Sequence, residues 1–228
     1  MPTGLSAAVV VDAVRTPCGA RNGCLSTLHA VDLALAPLIA LVARTGVDPV
    51  LVDDVVLGCA TQVGEQSLNI ARCAVLGAGW PESIPGTTVD RQGGSGLQAL
   101  HFAAQGVMAG GYEVAVAGGV EAMSRVPLGS SFMRESGLPF GPRLNARYER
   151  SGGLAPRAVA AENVAARWGI GRDELDRFAL RSQSLAARAS TTGRFADEML
   201  ELALATRETG EAPGLRSVDE CISKDVTM

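Results

Sequence analysis

The chain has 228 residues, a formal net charge of -4 and 47% hydrophobic residues. This composition is ordinary for a globular protein, and the length suits one large domain or a domain and a half. The mild acidity argues against nucleic acid as a partner, because domains that bind nucleic acid usually present a basic face.

No segment has the pattern of a targeting or membrane-spanning sequence. The N-terminus has no basic region, and Asp12 interrupts the apolar run of residues 7–11. A later apolar stretch, residues 33–43, contains Pro37 and is shorter than the about 20 residues that cross a bilayer. We therefore expect a cytoplasmic protein without a membrane partner.

The cysteines are odd in number and widely spread, and no two of them form a Cys-x-x-Cys pair. Such a pattern fits neither a disulfide framework nor a zinc site, so free thiols are expected. No group of His, Cys, Asp and Glu has the spacing of a metal site, so no metal is expected. The five cysteines are Cys18, Cys24, Cys59, Cys73 and Cys221.

Hydrophobic periodicity predicts strands that alternate with helices in the first half of the chain. The predicted strands are residues 7–12, 55–59, 86–90 and 113–119, the first of them buried. The predicted helices are residues 31–45, where Pro37 is expected to cause a kink, 69–77 and 97–108, the last ending at Gly110-Gly111. This alternation is typical of a layered α/β sheet with helices on its faces.

The second half of the chain has a different pattern. Residues 123–153 are rich in Gly, Pro, Ser and Arg and are predicted to be an irregular excursion. Two helices are predicted after it, over residues 160–168 and 172–193. Residues 195–205 and the tail to Met228 are predicted to be extended.

A strand, a turn and a helix meet at residues 89–99, where Gly93-Gly94-Ser95-Gly96 opens the helix. This motif resembles the thiolase signature, in which Cys-Gly-Ser-Gly begins a buried helix after a strand. A cysteine at a helix N-terminus has a depressed pKa, because the positive end of the helix dipole stabilises the thiolate. Such a thiolate can take an acyl group from an acyl-CoA.

Further segments resemble the thiolase family in the same order along the chain. They are residues 12–17, 55–64, 69–72, 117–127 and, within the loop domain that covers coenzyme A, residues 161–182 with Asp219-Glu220. The resemblance implies the N-terminal half of a thiolase fold, a layered βαβαβ arrangement with a mixed sheet flanked by helices. It also implies an α/β domain over residues 1–121, a mostly helical loop-domain insertion with a truncated tail over residues 122–228, and no C-terminal thiolase domain.

The resemblance implies an acyltransferase that makes or cleaves 3-ketoacyl-CoA, with the coenzyme A thioester as substrate and no cofactor. The family nucleophile falls on Gly93, which has no side chain to accept the acyl group. The family's Asn-Glu motif, its Gly-His-Pro histidine and its acid/base cysteine come later than residue 228. We therefore expect the chain by itself to be catalytically inactive.

Contacts to coenzyme A are expected from Arg134 and Arg143 in the basic excursion and from Lys224 after the Asp-Glu pair. A solvated loop explains this basic segment equally well. Cys59 and Cys73 are interpreted as inert thiols away from the motif, and not as substitute nucleophiles.

Several polar side chains are given structural roles. Ser95 is expected to cap the helix that follows it, and Glu121 is expected to form structural hydrogen bonds. His29 has no partner pattern, and His101 is expected to pack in the core or at a dimer contact. Spacing places no acid or nucleophile beside either histidine.

Three functions stay open at this stage. The chain is a decayed or truncated thiolase, a non-catalytic subunit that binds a coenzyme A thioester or regulates an intact thiolase, or half of a split enzyme. The predicted helix 97–108 has almost no polar face, so it needs burial on all sides, and alone the chain would expose an apolar surface. We expect a homo-oligomer, a thiolase-like half or a chaperone to cover it.

Overall fold

The computed structural model describes residues 7–132, 137–203 and 215–223. The chain divides into two compact units. The first comprises Met1–Ser131 and Phe195–Cys221, and the second comprises Phe132–Arg194 and Ile222–Met228.

The centre of the first unit is a three-stranded sheet of β1 (Asp54–Gly58), β2 (Gly86–Val89) and β3 (Ala115–Gly119) in the order β2-β1-β3. All five residues of β1 are buried, because this strand is paired on both sides and covered on both faces. The predicted strands from residue 55 to residue 119 are confirmed. The described strands of this sheet pair only in parallel, whereas the resemblance implied a mixed sheet.

Three helices of the first unit connect and cover these strands: α1 (Ala30–Thr45), α2 (Ile70–Gly77) and α3 (Ser95–Met108). They confirm the three predicted helices, and α1 continues through Pro37. Side-chain hydrogen bonds cap the N-termini of two of these helices, α1 and α2. His29 Nδ1 accepts the Val31 N–H at 3.2 Å, and Asn69 Oδ1 accepts the Arg72 N–H at 3.4 Å.

Alternation along β1 directs successive side chains to opposite faces of the sheet. Val55, Leu57 and Cys59 join the apolar core that α1 and α2 complete on one face. Gly58 points to the other face, where α3 lies. Right-handed crossovers from β1 to β2 and from β2 to β3 run in opposite directions across the sheet, which puts α2 and α3 on opposite faces.

The first turn of α3 lies directly against the carboxyl ends of the strands. A Cβ atom at Gly58 would overlap the backbone of Ser95 and Gly96, and one at Gly119 would lie 2.9 Å from the carbonyl oxygen of Gly58. Real side chains do not tolerate such distances, so glycine at these positions permits the close approach of helix and sheet.

The prediction of a buried strand at residues 7–12 is wrong. The structure has no strand there, and Val9, Val10 and Val11 are 78%, 73% and 79% exposed. Their apolar, β-branched pattern favours a strand, but no strand in the described ranges pairs with this segment, and a strand needs a neighbour to satisfy its backbone.

Within the first unit, Arg15 links the N-terminal loop to Phe195, Glu198 and Asp219, which lie about 180–200 residues later in the chain. Its guanidinium donates to Glu198 Oε1 at 2.6 Å and to both carboxylate oxygens of Asp219 at 2.8 and 2.9 Å, and it lies 5.0 Å from the ring centre of Phe195. The ion pair raises the pKa of Arg15 and lowers that of Asp219. Bidentate geometry makes this a strong pair for a partly exposed site.

The segment that Arg15 holds is only partly extended. Residues 195–198 form turns, and the short strand β4 (Leu202–Ala203) pairs antiparallel with β5 (Leu215–Arg216). The prediction of an extended region from residue 195 is therefore confirmed only at these two short strands, and residues 204–214 and 224–228 lie outside the described residues. The turns form because Glu198 and Met199 donate their N–H groups to the carbonyl oxygen of Phe195.

The second unit contains α4 (Pro142–Tyr148), α5 (Arg157–Trp168) and α6 (Arg172–Thr191). The two predicted helices are confirmed as α5 and α6. The excursion at residues 123–153 is not wholly irregular, because Pro142 starts α4 as its first residue. None of the helices in the described ranges has the length and hydropathy to cross a membrane.

Replacing Gly58 by alanine is expected to destabilise the first unit by about 3 kcal/mol, because the new methyl group must push α3 away from β1. Gly93→Ala is the matched control, since no atom lies within 4 Å of a Cβ there, and it should change stability by less than about 1 kcal/mol. Denaturant unfolding followed by circular dichroism measures both. Equal stability of the two variants would contradict the close packing.

Replacing Asp219 by asparagine is expected to lower stability at pH 7 by about 1–2 kcal/mol, because it removes the ion pair with Arg15. The folded pKa of Asp219 is depressed, so its contribution is present above the unfolded value near 4 and disappears as pH falls through the folded pKa. Unfolding of both proteins from pH 7 to pH 3 should show the difference shrink as the pH falls below about 4. The exposed Asp176→Asn variant, whose partner Arg172 lies on the same helix, should show a smaller difference at pH 7. A gap between wild type and Asp219→Asn that stays constant from pH 7 to pH 3 would exclude the ion pair as its source.

Candidate functional site

The turn between β2 and α3 contains Gly93 and is held by two polar side chains. The Gln92 N–H donates to Asp90 Oδ1 at 2.8 Å. Ser95 Oγ accepts the Arg91 N–H at 2.9 Å and donates to the Gln92 carbonyl oxygen at 2.6 Å. These bonds fix the backbone immediately before α3.

Ser95 has a different role from the predicted helix cap. It is the first residue of α3, and the N-cap residue is Gly94, which has no side chain to accept a capping bond. The buried Ser95 hydroxyl uses both its donor and its acceptor within the turn. It therefore stabilises the turn and is not available as a nucleophile.

The strained backbone of the turn is at Gln92, the residue before Gly93, and not at Gly93 itself. Gln92 has a φ of 49°, a left-handed conformation that non-glycine residues rarely adopt, and Gly93 is not among the residues with positive φ. A Cβ at Gly93 would meet no atom within 4 Å. Packing and backbone conformation therefore both permit a side chain at this position.

Position 93 also has a favourable electrostatic location. It directly precedes Gly94, the N-cap of α3, a helix of 14 residues. A thiol placed there would lie next to the positive end of the helix dipole, which stabilises a thiolate. The turn therefore offers, at position 93, an electrostatic environment that would stabilise a thiolate.

Cys59 lies closer to this turn than the sequence indicated. Its N–H donates to the carbonyl oxygen of Val89, the last residue of β2, at 3.0 Å. The side chain is only 1% exposed, and burial, with the nearby charges of Glu121 and Asp90, raises the pKa of the thiol to about 11. Cys59 is therefore protonated at neutral pH and is no substitute nucleophile. Cys73 lies in α2, where its Sγ contacts the carbonyl oxygen of Leu68 at 3.5 Å.

Glu121 takes part in a buried polar network at the carboxyl end of the sheet. Its carboxylate accepts the Ala60 N–H at 2.9 Å and the side-chain amide of Gln66 at 2.7 Å. The fully buried Gln66 also donates to Thr61 and accepts the Ala122 N–H at 2.6 Å. Glu121 is thus structural, as predicted, and fixes the loop that follows β1.

The two histidines lie apart from this network. His29 caps α1, and its Nε2 atom lies 3.7 Å from Glu65 Oε2. His101 is exposed on α3 and does not pack in the core, because the core-facing positions of the helix are occupied by Ala99 and Ala103, so the alternative of a dimer contact stays a prediction. Neither histidine contacts the turn through a hydrogen bond in the described part of the chain.

The residues proposed to bind coenzyme A do not form a described cluster. Arg143 is exposed in α4 of the second unit, whereas Gly93 belongs to the first. Arg134 and Lys224 lie outside the described residues. Among the described residues, no group of three or more His, Cys, Asp and Glu side chains could hold a metal ion.

The Asp-Glu pair that the sequence assigned to the domain covering coenzyme A binds the N-terminal loop of the first unit. Asp219 accepts the Cys18 N–H at 2.7 Å in addition to the Arg15 guanidinium. Glu220 accepts the Ala20 N–H at 2.9 Å. The sequence did not predict this contact, because about 200 residues separate the two segments and no local pattern indicates such a pairing.

One face of α3 is uncovered. Leu97, Leu100 and Phe102 are 61%, 45% and 44% exposed, while Ala99 and Ala103 face the sheet. This confirms the prediction that the chain alone would expose an apolar helix surface.

Comparison with known proteins identifies the relatives of this chain. The family model described as thiolase, N-terminal domain, matches residues 8–228. The chain is 43% identical to the β-ketoadipyl-CoA thiolase of Pseudomonas aeruginosa over 209 residues, covering 87% of this chain and 52% of that protein. It is 38% identical to a steroid 3-ketoacyl-CoA thiolase of Mycobacterium tuberculosis over 213 residues, covering 92% and 51%.

A solved structure shows the same fold. The crystal structure of the Bacillus anthracis acetyl-CoA acetyltransferase superposes with a TM-score of 0.83 at 35% identity, covering 98% of this chain and 57% of that one. The chain thus spans about half the length of the curated relatives it matches.

Alkylation of the native chain by iodoacetamide at pH 8 is expected to modify Cys18 and Cys221, which are exposed, and to leave Cys59 unmodified. The reason is that only thiolates react, and Cys59 is both buried and protonated at this pH. Peptide mass spectrometry measures the extent at each cysteine, with the urea-unfolded chain as control. Rapid native labelling of Cys59 would show that it is a reactive thiol.

Proposed function

The chain belongs to the thiolase family, and we propose that it is a thiolase domain that has lost the covalent step of acyl transfer. The substrate class of the proposal is the 3-ketoacyl-CoA thioesters, which the names of its relatives indicate. In an active enzyme of this kind, a thiolate accepts the acyl group before the carbon–carbon bond is made or broken.

Gly93 is the observation on which the proposal rests. It stands in the turn before α3, where a side chain would have open space and a favourable helix dipole. Glycine cannot form the acyl-thioester, and the neighbouring thiol of Cys59 is buried with a pKa of about 11. The covalent intermediate therefore has no place to form in this domain.

The preserved geometry around Gly93 favours a second function, a non-catalytic subunit that binds a coenzyme A thioester or regulates an intact thiolase. Asp90, Ser95 and the strained Gln92 still hold the turn in place, although it has no nucleophile to present. Strained backbone is common at sites that bind a ligand, so the strain at Gln92 supports a binding role for a turn that has no nucleophile.

A protein partner is part of both functions. The exposed apolar residues of α3 need cover, and a second thiolase-type domain, either from another copy or from a thiolase-like half, supplies an apolar surface of the same layered architecture. No nucleic acid or membrane partner is proposed.

The wild-type chain is expected to cleave acetoacetyl-CoA at no measurable rate, because loss of a covalent nucleophile removes several orders of magnitude in rate. Gly93→Cys is expected to accept one acetyl group from acetyl-CoA at position 93, since the open space and helix dipole there suit a thiolate. Intact-mass and peptide mass spectrometry measure acylation, and thiolysis is followed by ultraviolet absorbance.

Gly141→Cys is the matched control, because a side chain there is also unobstructed but the position begins the short helix α4. It should acylate no faster than the native exposed thiols. Thiolysis by the wild type at thiolase-like rates would overturn the proposal. Titration of acetyl-CoA into the wild type by calorimetry measures the affinity that the second function requires, and the absence of a saturable heat signal would exclude the binding subunit.

A further inference from the structure

Two exposed thiols from opposite ends of the chain meet in the first unit. Cys18 belongs to the loop that follows Arg15, and Cys221 directly follows the Asp219-Glu220 pair. Neither thiol takes part in the turn at Gly93, and the proposed function uses neither of them.

Backbone hydrogen bonds align the two segments side by side. The Glu220 N–H donates to the Cys18 carbonyl oxygen at 3.0 Å, and the Cys18 N–H donates to Asp219 Oδ1 at 2.7 Å. Cys221 Sγ lies 3.4 Å from the carbonyl oxygen of Gly19 and donates to it. The Cys221 thiol is thus held against the backbone of the residue next to Cys18.

The two thiols also influence each other through space. Partial burial and the Asp219 carboxylate raise the pKa of Cys18, and the neighbouring Cys221 adds to this rise. Such an effect requires that the sulfur atoms lie within short electrostatic range.

We propose that Cys18 and Cys221 form a dithiol site that a peroxide converts to an intramolecular disulfide, joining the N-terminal loop to the segment 217–223. The site is independent of the proposed function. Arg15 and its carboxylate partners provide the alignment, because they hold both segments in place before any covalent bond forms.

The reaction is a two-electron oxidation by hydrogen peroxide. One thiolate, taken here as that of Cys221, attacks one peroxide oxygen and the O–O bond breaks; a sulfenic acid forms, and the departing hydroxide takes up the proton that this thiol released and leaves as water. The Cys18 thiolate then attacks the sulfenic sulfur and the S–O bond breaks as the S–S bond forms; the departing hydroxide takes up the proton that Cys18 released and leaves as a second water. Two thiols and one peroxide thereby give one disulfide and two waters.

Such a bond would close a loop of about 200 residues, and a long loop gains most from closure because the unfolded chain loses the most freedom. The oxidised chain is therefore expected to melt about 5 °C or more above the reduced chain. Oxidation would also fix the loop in its Arg15-bound position.

The test treats the full chain with a small excess of hydrogen peroxide, blocks remaining thiols, and maps non-reduced peptides by mass spectrometry. The expected product has one Cys18–Cys221 linked peptide within a single chain, which runs as one chain on non-reducing denaturing electrophoresis, and a raised melting temperature that dithiothreitol reverses. Cys18→Ser and Cys221→Ser should each abolish both effects. Cys73→Ser, which alters a thiol in α2, should retain them.

Either of two results would overturn the proposal. One is full thiol oxidation without a Cys18–Cys221 peptide, with sulfinic acid at both positions instead. The other is a linkage of Cys221 mainly to Cys24 or to a second chain, which would show that the aligned segments do not select Cys18.

Discussion

The close approach of α3 to the end of β1 is the constraint on which the rest of the first unit depends. Only glycine at position 58 permits it, because any Cβ there would overlap the helix backbone at Ser95 and Gly96. The contact fixes where the helix starts and therefore where the preceding turn must lie. Through that turn it places position 93 at the positive end of the helix, above the carboxyl edge of the sheet.

Gly93 stands in contrast to Gly58, although the two belong to the same local structure. Gly58 is required by packing, whereas Gly93 has open space and an ordinary backbone conformation. The missing side chain at position 93 is thus a chemical difference and not a consequence of the fold. The adjacent Cys59 cannot replace it, because the burial that stabilises the core also keeps its thiol protonated.

Ion pairs and hydrogen bonds link the Asp219-Glu220 pair to the N-terminal loop of the first unit. Arg15, Asp219 and Glu220 join segments separated by about 200 residues and bring Cys18 beside Cys221. Meanwhile α3 exposes large apolar side chains, and no strand among the described residues pairs with residues 7–12. In the first unit, hydrogen bonds hold the turn at Gly93 in place, whereas apolar side chains of α3 and of residues 9–11 are exposed.

The sequence by itself determined the alternation of strands and helices from residue 31 to residue 119, the helices α5 and α6, and the family, because local periodicity and motif order report these directly. It also determined that Gly93 provides no nucleophile. Tertiary structure alone decided that residues 7–12 form no strand, that Ser95 holds the turn and that Asp219 and Glu220 bind the N-terminal loop. These outcomes depend on which distant groups are present to pair with each residue, and no local pattern contains that information.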